Sequence, residues 1–319
     1  MDLDFTNEQD MLRKAVRSLC EDAAETVRQL ENDPRGYDDG FWQKLASMGL
    51  CGLMVPEAYG GSAMGLLDAV VVYEEFGRSL IPSPHLVSSV VSAGVLMAGG
   101  SDAQRDTWLA RIASGEAILS PAWLEPDGGF GPAGVQVEAA PDGDGVTLTG
   151  TKRHVAFAAS VDRLVVLARE PAGVSLFLVD PAATGVTLSQ QLSVASDTQY
   201  RVDFDEVRVA AADRIGDPGT GWDLWHATML DAIVLVAAQA IGVPRQPTRL
   251  QPSTPRCATS STSRSGRSSR SPTIWPTALP PSTAAVSLCI KPPGPGTSAT
   301  TPRPWPPWPS CSLPRPFGT

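Results

Sequence analysis

The chain has 319 residues, 42% of them hydrophobic and 18% charged, and its formal net charge at pH 7 is −9. This acidic balance argues against nucleic acid as a natural partner. The five cysteines are scattered, with no CxxC pair and no Cys/His cluster, so we expect neither a metal site nor a disulfide framework.

The amino-terminal sequence predicts a cytoplasmic protein without a membrane partner. The opening residues MDLDFTNEQDM are acidic and lack the apolar segment of a secretory signal. No uninterrupted apolar run reaches the roughly 18 residues that a membrane span requires.

Residues 1–117 are predicted to form a helical domain. Thr6 followed by Gln9 is a capping box at the start of the first helix. Apolar residues then recur at helical spacing and predict one buried face. Further helices are predicted at 38–48, 66–77, 85–98 and 103–114. The predicted face of the first helix consists of Met11, Leu12, Ala15, Val16 and Leu19.

Residues 118–216 are predicted to form a middle β domain, an antiparallel barrel or sandwich. The segment 135–138 alternates apolar and polar residues, and PDGDG at 141–145 is a hairpin signal before a strand at 146–149. Strand-like runs follow at 163–168, 174–179 and 186–188. A longer strand at 200–209 needs a bulge after Phe204 to keep its apolar residues on one face.

The pattern returns to helix at 217–242, where residues 222–241 are strongly apolar, and changes abruptly after that. All 34 acidic residues lie at or before Asp231, and 18 of the 29 prolines lie at or after Pro244. A segment rich in Pro, Ser, Thr and Arg cannot bury enough apolar area to offset chain entropy. Residues 243–319 are therefore predicted to be disordered.

Five short motifs give the first 242 residues a family resemblance. They are VPEAYGG at 55–61, EEFG at 74–77, WLEP at 123–126, LTGTK at 148–152 and FDEVRV at 204–209. In this order they resemble the acyl-CoA dehydrogenase motifs VPEEYGG, EELG, xTEP, LNGxK and FDDVRVP. The resemblance implies an α+β fold with an N-terminal helical domain, a middle β domain and a C-terminal helical bundle, the last missing or disordered in this chain.

The resemblance also implies FAD as cofactor, an acyl-CoA as substrate and oxidation at the α and β carbons. The family's flavin-facing positions match Trp123, Leu124, His154, Val155 and Ala156 here. Leu124 replaces the threonine of xTEP, and His154-Val155-Ala156 replaces WIT, so two hydroxyl groups are lost. Main-chain groups at these positions could still hold a flavin. His154 is a ring contact, an acid/base group, or a histidine at the surface or a strand end.

Other polar residues near these motifs have structural interpretations. Glu125 with Pro126 is interpreted as a turn element, and Lys152 as an anchor of the strand turn. In most family members a glutamate on the C-terminal domain is the catalytic base, and this chain has no acid beyond Asp231. Asp231 is the candidate base, because some relatives place a glutamate on the equivalent helix. The alternative is a carboxylate on the helix surface.

The change in composition after Gly242 can also be explained by a shift of the reading frame. If the true codons begin one base earlier, every Trp-Pro pair must encode alanine, because Trp is always TGG. In that frame 273–279 can spell HLADGA, 291–297 can spell AAWARD and 304–312 can spell MAAMAKLF. These strings resemble the family's C-terminal helical domain in the correct order. The tail is therefore interpreted as a frame-shifted translation of that domain.

Three functional hypotheses remain open from the sequence. The parent protein is an acyl-CoA dehydrogenase, and the chain as written is inactive. Alternatively, the parent is a non-catalytic subunit of a hetero-oligomeric acyl-CoA dehydrogenase, which the two lost hydroxyls favour. The third hypothesis is a non-enzymatic scaffold with a basic binding tail. Under the first two hypotheses we expect a homo- or hetero-oligomer.

Overall fold

The computed structural model describes residues 5–23, 27–31, 33–126, 128–195 and 197–243. The predicted disordered tail, 243–319, lies outside the described residues except for its first residue. Among the described residues, the helical part ends at Ala113, and the strands of the sheet lie between Leu119 and Ile215. The helices are α1 Asn7–Ala23, α2 Asp39–Ser47, α3 Leu66–Ser79, a π-helical segment Leu86–Ser92 that continues as α4 Ala93–Gly99, α5 Asp102–Ala113, and α6 Gly221–Gly242 after the sheet.

Helix α1 begins as its capping box predicts. Gln9 N–H donates to Thr6 Oγ1 at 3.2 Å, and Thr6 N–H donates to Gln9 Oε1 at 3.1 Å. The predicted apolar face is wrong at two positions, because Met11 and Ala15 are exposed. The helix is turned so that a neighbouring row packs against α2 and α3. That row consists of Leu12, Val16, Leu19, Cys20 and Ala23.

The middle part is one eight-stranded sheet in the order β6-β7-β3-β2-β4-β5-β8, with β1 paired to β4 outside this path. Its pairs are antiparallel except β1 with β4 and β2 with β4, which are parallel. The strands are β1 Leu119–Ala122, β2 Glu138–Asp142, β3 Gly145–Ala156, β4 Arg163–Glu170, β5 Gly173–Val179, β6 Val186–Gln191, β7 Gln199–Val209 and β8 Arg214–Ile215.

The hairpin and the bulge lie where the sequence predicts them. β2 and β3 pair through a turn at Gly143, whose φ of 63° favours glycine. On β7 one extra residue lies between Phe204 and Val207, and Glu206 has a φ of 51°. The predicted strand at 135–138 is wrong except at its last residue, because β2 starts only at Glu138.

Helix α6 contacts α3 at very short range through glycines. A Cβ added to Gly77 on α3 would lie 1.8 Å from Gln239 O, and one added to Gly242 would lie 1.8 Å from Glu74 O. The face of α6 that carries Trp225 and Leu235 is therefore buried. Elsewhere on the helix large apolar side chains are exposed, namely Leu230, Ile233, Val236 and Ile241.

By length and composition alone, α6 is the one helix among the described residues that could cross a membrane. The sequence prediction of no membrane span considered only uninterrupted apolar runs, and α6 contains polar residues between its apolar ones. This signal is weak, since a core helix of a soluble protein passes the same test. In the structure α6 packs against α3, α4 and β5.

The glycine contact generates the first prediction. Gly77→Ala should lower the free energy of unfolding by about 1–3 kcal/mol, because the methyl group overlaps the backbone of α6. Gly129→Ala is the control, since a Cβ there meets nothing within 4 Å. Chemical denaturation of both variants measures the difference. Equal stability of Gly77→Ala and the unaltered protein would show that α6 does not pack as described.

Candidate functional site

The two chain segments that the sequence singles out for a cofactor lie side by side. Trp123 and Leu124 follow the end of β1, and residues 154–156 end β3. Arg153 N–H donates to Leu124 O at 2.9 Å, and Ser120 Oγ donates to Ala156 O at 2.6 Å. We call the surface formed by Trp123, Leu124, His154, Val155 and Ala156 the ledge.

A buried ion pair lies at the end of β1 beside the ledge. Lys152 Nζ is 2.6 Å from Glu125 Oε1, and the two side chains are 0% and 5% exposed. The Glu125 carboxylate also accepts the backbone N–H groups of Gln136 at 2.9 Å and Val137 at 3.0 Å. The ammonium group lies 3.4 Å from Trp123 O. The pair therefore joins β3, the end of β1 and the segment before β2.

This ion pair also explains why the predicted strand at 135–138 begins late. The N–H groups of Gln136 and Val137 bond to a carboxylate rather than to a neighbouring strand. Burial lowers the pKa of Lys152 to about 8, while the negative charge of Glu125 acts in the opposite direction. The ammonium therefore remains charged at neutral pH, and Glu125 is its counter-ion.

Sequence interpretation assigned Glu125 and Lys152 separate structural roles and missed that they form a pair. The sequence of β3 does indicate a buried lysine. Val146 and Leu148 are buried, and Lys152 lies an even number of residues after them. Side chains two residues apart on a strand share a face. A lysine at an inward position requires a buried anion, and Glu125 is the acid that the fold supplies.

His154 lies at the outer edge of the ledge, in a bulge between Lys152 and Val155. Its φ of 55° is rare for a residue with a side chain. Its N–H donates to Gln191 Oε1 at 3.1 Å, and Nδ1 lies 2.7 Å from Gln199 Oε1. The imidazole is exposed and held by a glutamine, so it is available as a ring contact.

The ledge offers main-chain groups and ring surfaces, but few side-chain donors. Leu124, Val155 and Ala156 have no polar side-chain atoms. The Trp123 ring lies 5.4 Å from the ring of Trp225 on α6 and 6.2 Å from that of Phe130. These features fit a flat heteroaromatic group that is held through backbone amides and aromatic contacts.

A cavity of about 350 Å³ lies between α4 and α6. Its walls are almost entirely apolar, and Asp231 is the one charged residue in the lining. Such a cavity with a single carboxylate is a reasonable site for an apolar substrate and a proton acceptor. The lining residues are Met54, Val90, Gly94, Met97, Ala98, Ala227, Thr228 and Asp231.

Asp231 lies on α6, and the same helix contacts the ledge. Trp225 contacts the ledge, and Asp231 follows six residues later, about 9 Å along the helix axis. Asp231 is exposed at the mouth of the cavity. Within the described parts of the chain, no group of three or more His, Cys, Asp or Glu residues is placed to hold a metal ion.

Comparison with protein families gives two matches that together cover more than half of the chain. Residues 6–116 match the acyl-CoA dehydrogenase N-terminal domain. Residues 120–207 match the acyl-CoA dehydrogenase middle domain. The matched residues contain four of the five motifs, the first four residues of FDEVRV at 204–209, and all of the ledge.

Individual proteins agree with these matches. Acyl-CoA dehydrogenase FadE27 of Mycobacterium tuberculosis is 32% identical over 67% of this chain. The ChsE4-ChsE5 complex of the same organism has a TM-score of 0.68 at 29% identity, and the match covers 76% of this chain and 65% of that one. A glutaryl-CoA dehydrogenase of Mycobacterium smegmatis, solved with FADH2, has a TM-score of 0.68 at 21% identity over 75% of this chain and 62% of its own, which shows the fold alone.

The chain is shorter than these relatives. The part of this chain that matches spans 64%, 55% and 40% of the length of three curated relatives. FadE27 is the second of these.

The buried ion pair generates the second prediction. Lys152→Met should lower the free energy of unfolding by about 3–5 kcal/mol, because it leaves the Glu125 carboxylate buried without a cation. The double variant Glu125→Gln/Lys152→Met should recover much of this loss, since glutamine still accepts both backbone N–H groups. Urea denaturation measures all three proteins.

Arg201→Met is the matched control, because it breaks the exposed pair of Arg201 and Asp203. It should change the stability little. A Lys152→Met variant as stable as this control, or a double variant less stable than Lys152→Met, would contradict the role given to the pair.

Proposed function

Because this chain belongs to the acyl-CoA dehydrogenase family, we propose that its parent protein is an FAD-dependent enzyme that oxidises an acyl-CoA thioester at the α and β carbons. The observation that carries the proposal is the position of the ledge and the cavity along α6. The ledge contacts the helix at Trp225, and the cavity is lined by Asp231 of the same helix. A cofactor and an apolar substrate would therefore both contact α6, at positions about 9 Å apart along its axis.

The ledge would hold the flavin ring. FAD, when bound, would accept the hydride that leaves the β-carbon of the thioester. Trp123 and His154 present ring surfaces. The carbonyls of Leu124 and Ala156 already accept hydrogen bonds from Arg153 and Ser120, so ring contacts would hold the flavin here. The buried pair of Glu125 and Lys152 fixes the end of β1 against β3 and so holds both halves of the ledge in place.

The cavity would hold the apolar part of the acyl group, and we propose Asp231 as the acceptor of the α-proton. Proton abstraction beside a thioester requires a base within reach of the α-carbon. The Asp231 carboxylate lies in a lining that is otherwise uncharged. No acid follows Asp231 in the chain as written, which leaves it as the candidate base on α6.

A second candidate is a subunit that supports the catalytic site of a different chain. The loss of side-chain hydroxyls at Leu124 and Ala156 favours it, because those groups are expected to contact the flavin. The ChsE4-ChsE5 structure, which is similar over most of this chain, is a complex of two proteins. Both candidates predict an oligomer, and we propose the cytoplasm as its location.

We also propose that residues 243–319 are an out-of-frame translation of the helical domain that should cover α6. The support is the three family-like strings in the alternative frame and the exposed apolar residues Leu230, Ile233 and Val236. The nucleotide sequence across codons 240 to 245 tests this directly. We expect one base to be missing or added relative to close genomic relatives. A frame that agrees with theirs through codon 245 would exclude the proposal.

The proposed base generates a prediction for the protein with its reading frame restored. Asp231→Asn should lower kcat for acyl-CoA oxidation by about 10²–10⁴-fold, because the amide cannot accept the α-proton. Asp223→Asn on the same helix is the control and should leave kcat unchanged. An artificial electron acceptor that is bleached on reduction measures the rate. Similar rates for both variants would exclude Asp231 as the base.

A further inference from the structure

The side of α6 that faces away from the other helices is an uncharged apolar surface. Apart from Asp231, the exposed positions from Ala227 to Ile241 carry only alanine, leucine, isoleucine and valine. Leu230 and Ile233 are 54% and 58% exposed. Asp231 lies on the flank of the helix, where it lines the cavity towards α4. A continuous apolar surface of this kind is typical of a contact with another molecule.

The residues at the centre of this surface have the spacing of a helix-packing seam. Successive members lie three, four, three and four positions apart, which is the heptad spacing with which one helix packs along another. They lie on the side of the helix opposite to Trp225 and Ala232, which are buried. We call these residues the outer seam: Ala227, Leu230, Val234, Ala237 and Ile241.

The charges at the two ends of α6 favour an antiparallel arrangement of two such seams. Asp223 lies in the first turn of the helix, and the first charged residue after the helix in the sequence is Arg245. A parallel pair would bring like charges together at both ends. An antiparallel pair places the acidic start of each helix at the end where the basic sequence of the other copy begins.

A second copy of the same helix matches the outer seam. It brings the same spacing and another uncharged surface, and a two-fold axis between the copies uses both seams, so the pair closes as a dimer. The continuation of the chain is a poor match for the seam. The sequence from 244 onward holds 18 of the 29 prolines and predicts no helix with heptad spacing.

The register of the pair follows from the charged residue at the start of the helix. In an antiparallel pair with heptad spacing, Asp223 stays outside the contact when Leu230 lies opposite Ile241 of the other copy. The same register places Val234 opposite Ala237, so a larger residue meets a smaller one on both sides of the two-fold axis. The seam itself then contains no charged residue.

The extent of the surface predicts a weak dimer. From Ala227 to Ile241 the outer seam is about 21 Å long, and a helix about 10–12 Å across would bury roughly 400 Å² on each copy. The total of roughly 800 Å² is below the ~1,200 Å² at which standard complexes begin, so the association should depend on concentration.

We propose that the outer seam is a self-association surface and that two copies of this chain form an antiparallel dimer through it. The proposal concerns the chain of 319 residues and needs neither flavin nor acyl-CoA. In the protein with its reading frame restored, the helical domain proposed above would occupy the same surface. The dimer is therefore expected of the chain as written and is independent of the proposed function.

Sedimentation velocity of the full chain at increasing concentration tests for the dimer. The dimer fraction should rise between about 1 and about 100 μM, as expected for a small interface. Leu230→Glu should weaken dimerisation by about 100-fold or more, because it would bury an unpaired carboxylate in each copy. Met11→Glu is the control, since Met11 is an exposed apolar residue on α1, and it should leave dimerisation unchanged.

Disulfide formation between two cysteine variants tests the antiparallel register. Leu230→Cys and Ile241→Cys are made in the full chain with the three cysteines of residues 244–319 replaced by serine, since the other two are buried. Each position lies about 17 Å along the axis from its own copy, too far for a disulfide, but opposite the other position. A disulfide-linked dimer should form in the mixture of the two variants and not in either variant alone.

Three results would overturn the proposal and leave the proposed function standing. A chain that stays monomeric at every concentration has no such dimer, and binding of that monomer to phosphatidylcholine vesicles would assign the surface to lipid. Equal dimerisation of Leu230→Glu and Met11→Glu would place the contact elsewhere on the molecule. Disulfide formation by each cysteine variant alone would show a parallel or unspecific contact.

Discussion

The buried pair of Glu125 and Lys152 is the constraint on which the rest of the site depends. Two ionised groups out of contact with water are tolerated only when each finds its partner and its remaining hydrogen bonds. Glu125 meets this requirement with one ammonium and two backbone N–H groups, and Lys152 with a carboxylate and a carbonyl. Satisfying these groups forces the end of β1, the middle of β3 and the approach to β2 into one place. The ledge lies at that junction, with His154 exposed and Val155 buried.

Helix α6 connects the sheet to the helices and is the least complete part of the described structure. Glycines at 77, 94 and 99 let α3 and α4 approach it closely, and its buried row follows from those contacts. Its other apolar residues have no cover among the described residues. The proposed frame shift gives a single cause for that exposure and for the loss of every acid beyond Asp231. On that proposal the ledge is half of a flavin pocket whose other half the alternative frame encodes.

Local patterns in the sequence were sufficient for elements that local interactions determine. The capping box at Thr6 and Gln9, the turn at Gly143 and the bulge after Phe204 involve residues close in sequence. Long-range contacts account for what was missed. Met11 is exposed because a different row of α1 packs against the neighbouring helices. The segment 135–137 is not a strand because the N–H groups of Gln136 and Val137 donate to Glu125. The parallel pairing of β4 and the π-helical segment likewise depend on distant partners such as Leu119. The domain boundaries and the roles of the ledge residues stay predictions.

The central claim is that the ledge is part of a flavin site that the chain as written does not complete. The flavin content of two purified proteins tests it most directly: the chain of 319 residues and the protein with its reading frame restored after Gly242. Visible absorbance and flavin released on denaturation give the ratio of FAD to protein. The account predicts a ratio near one for the restored protein and very little flavin in the chain as written. A colourless restored protein, or the same full ratio in both, would contradict it.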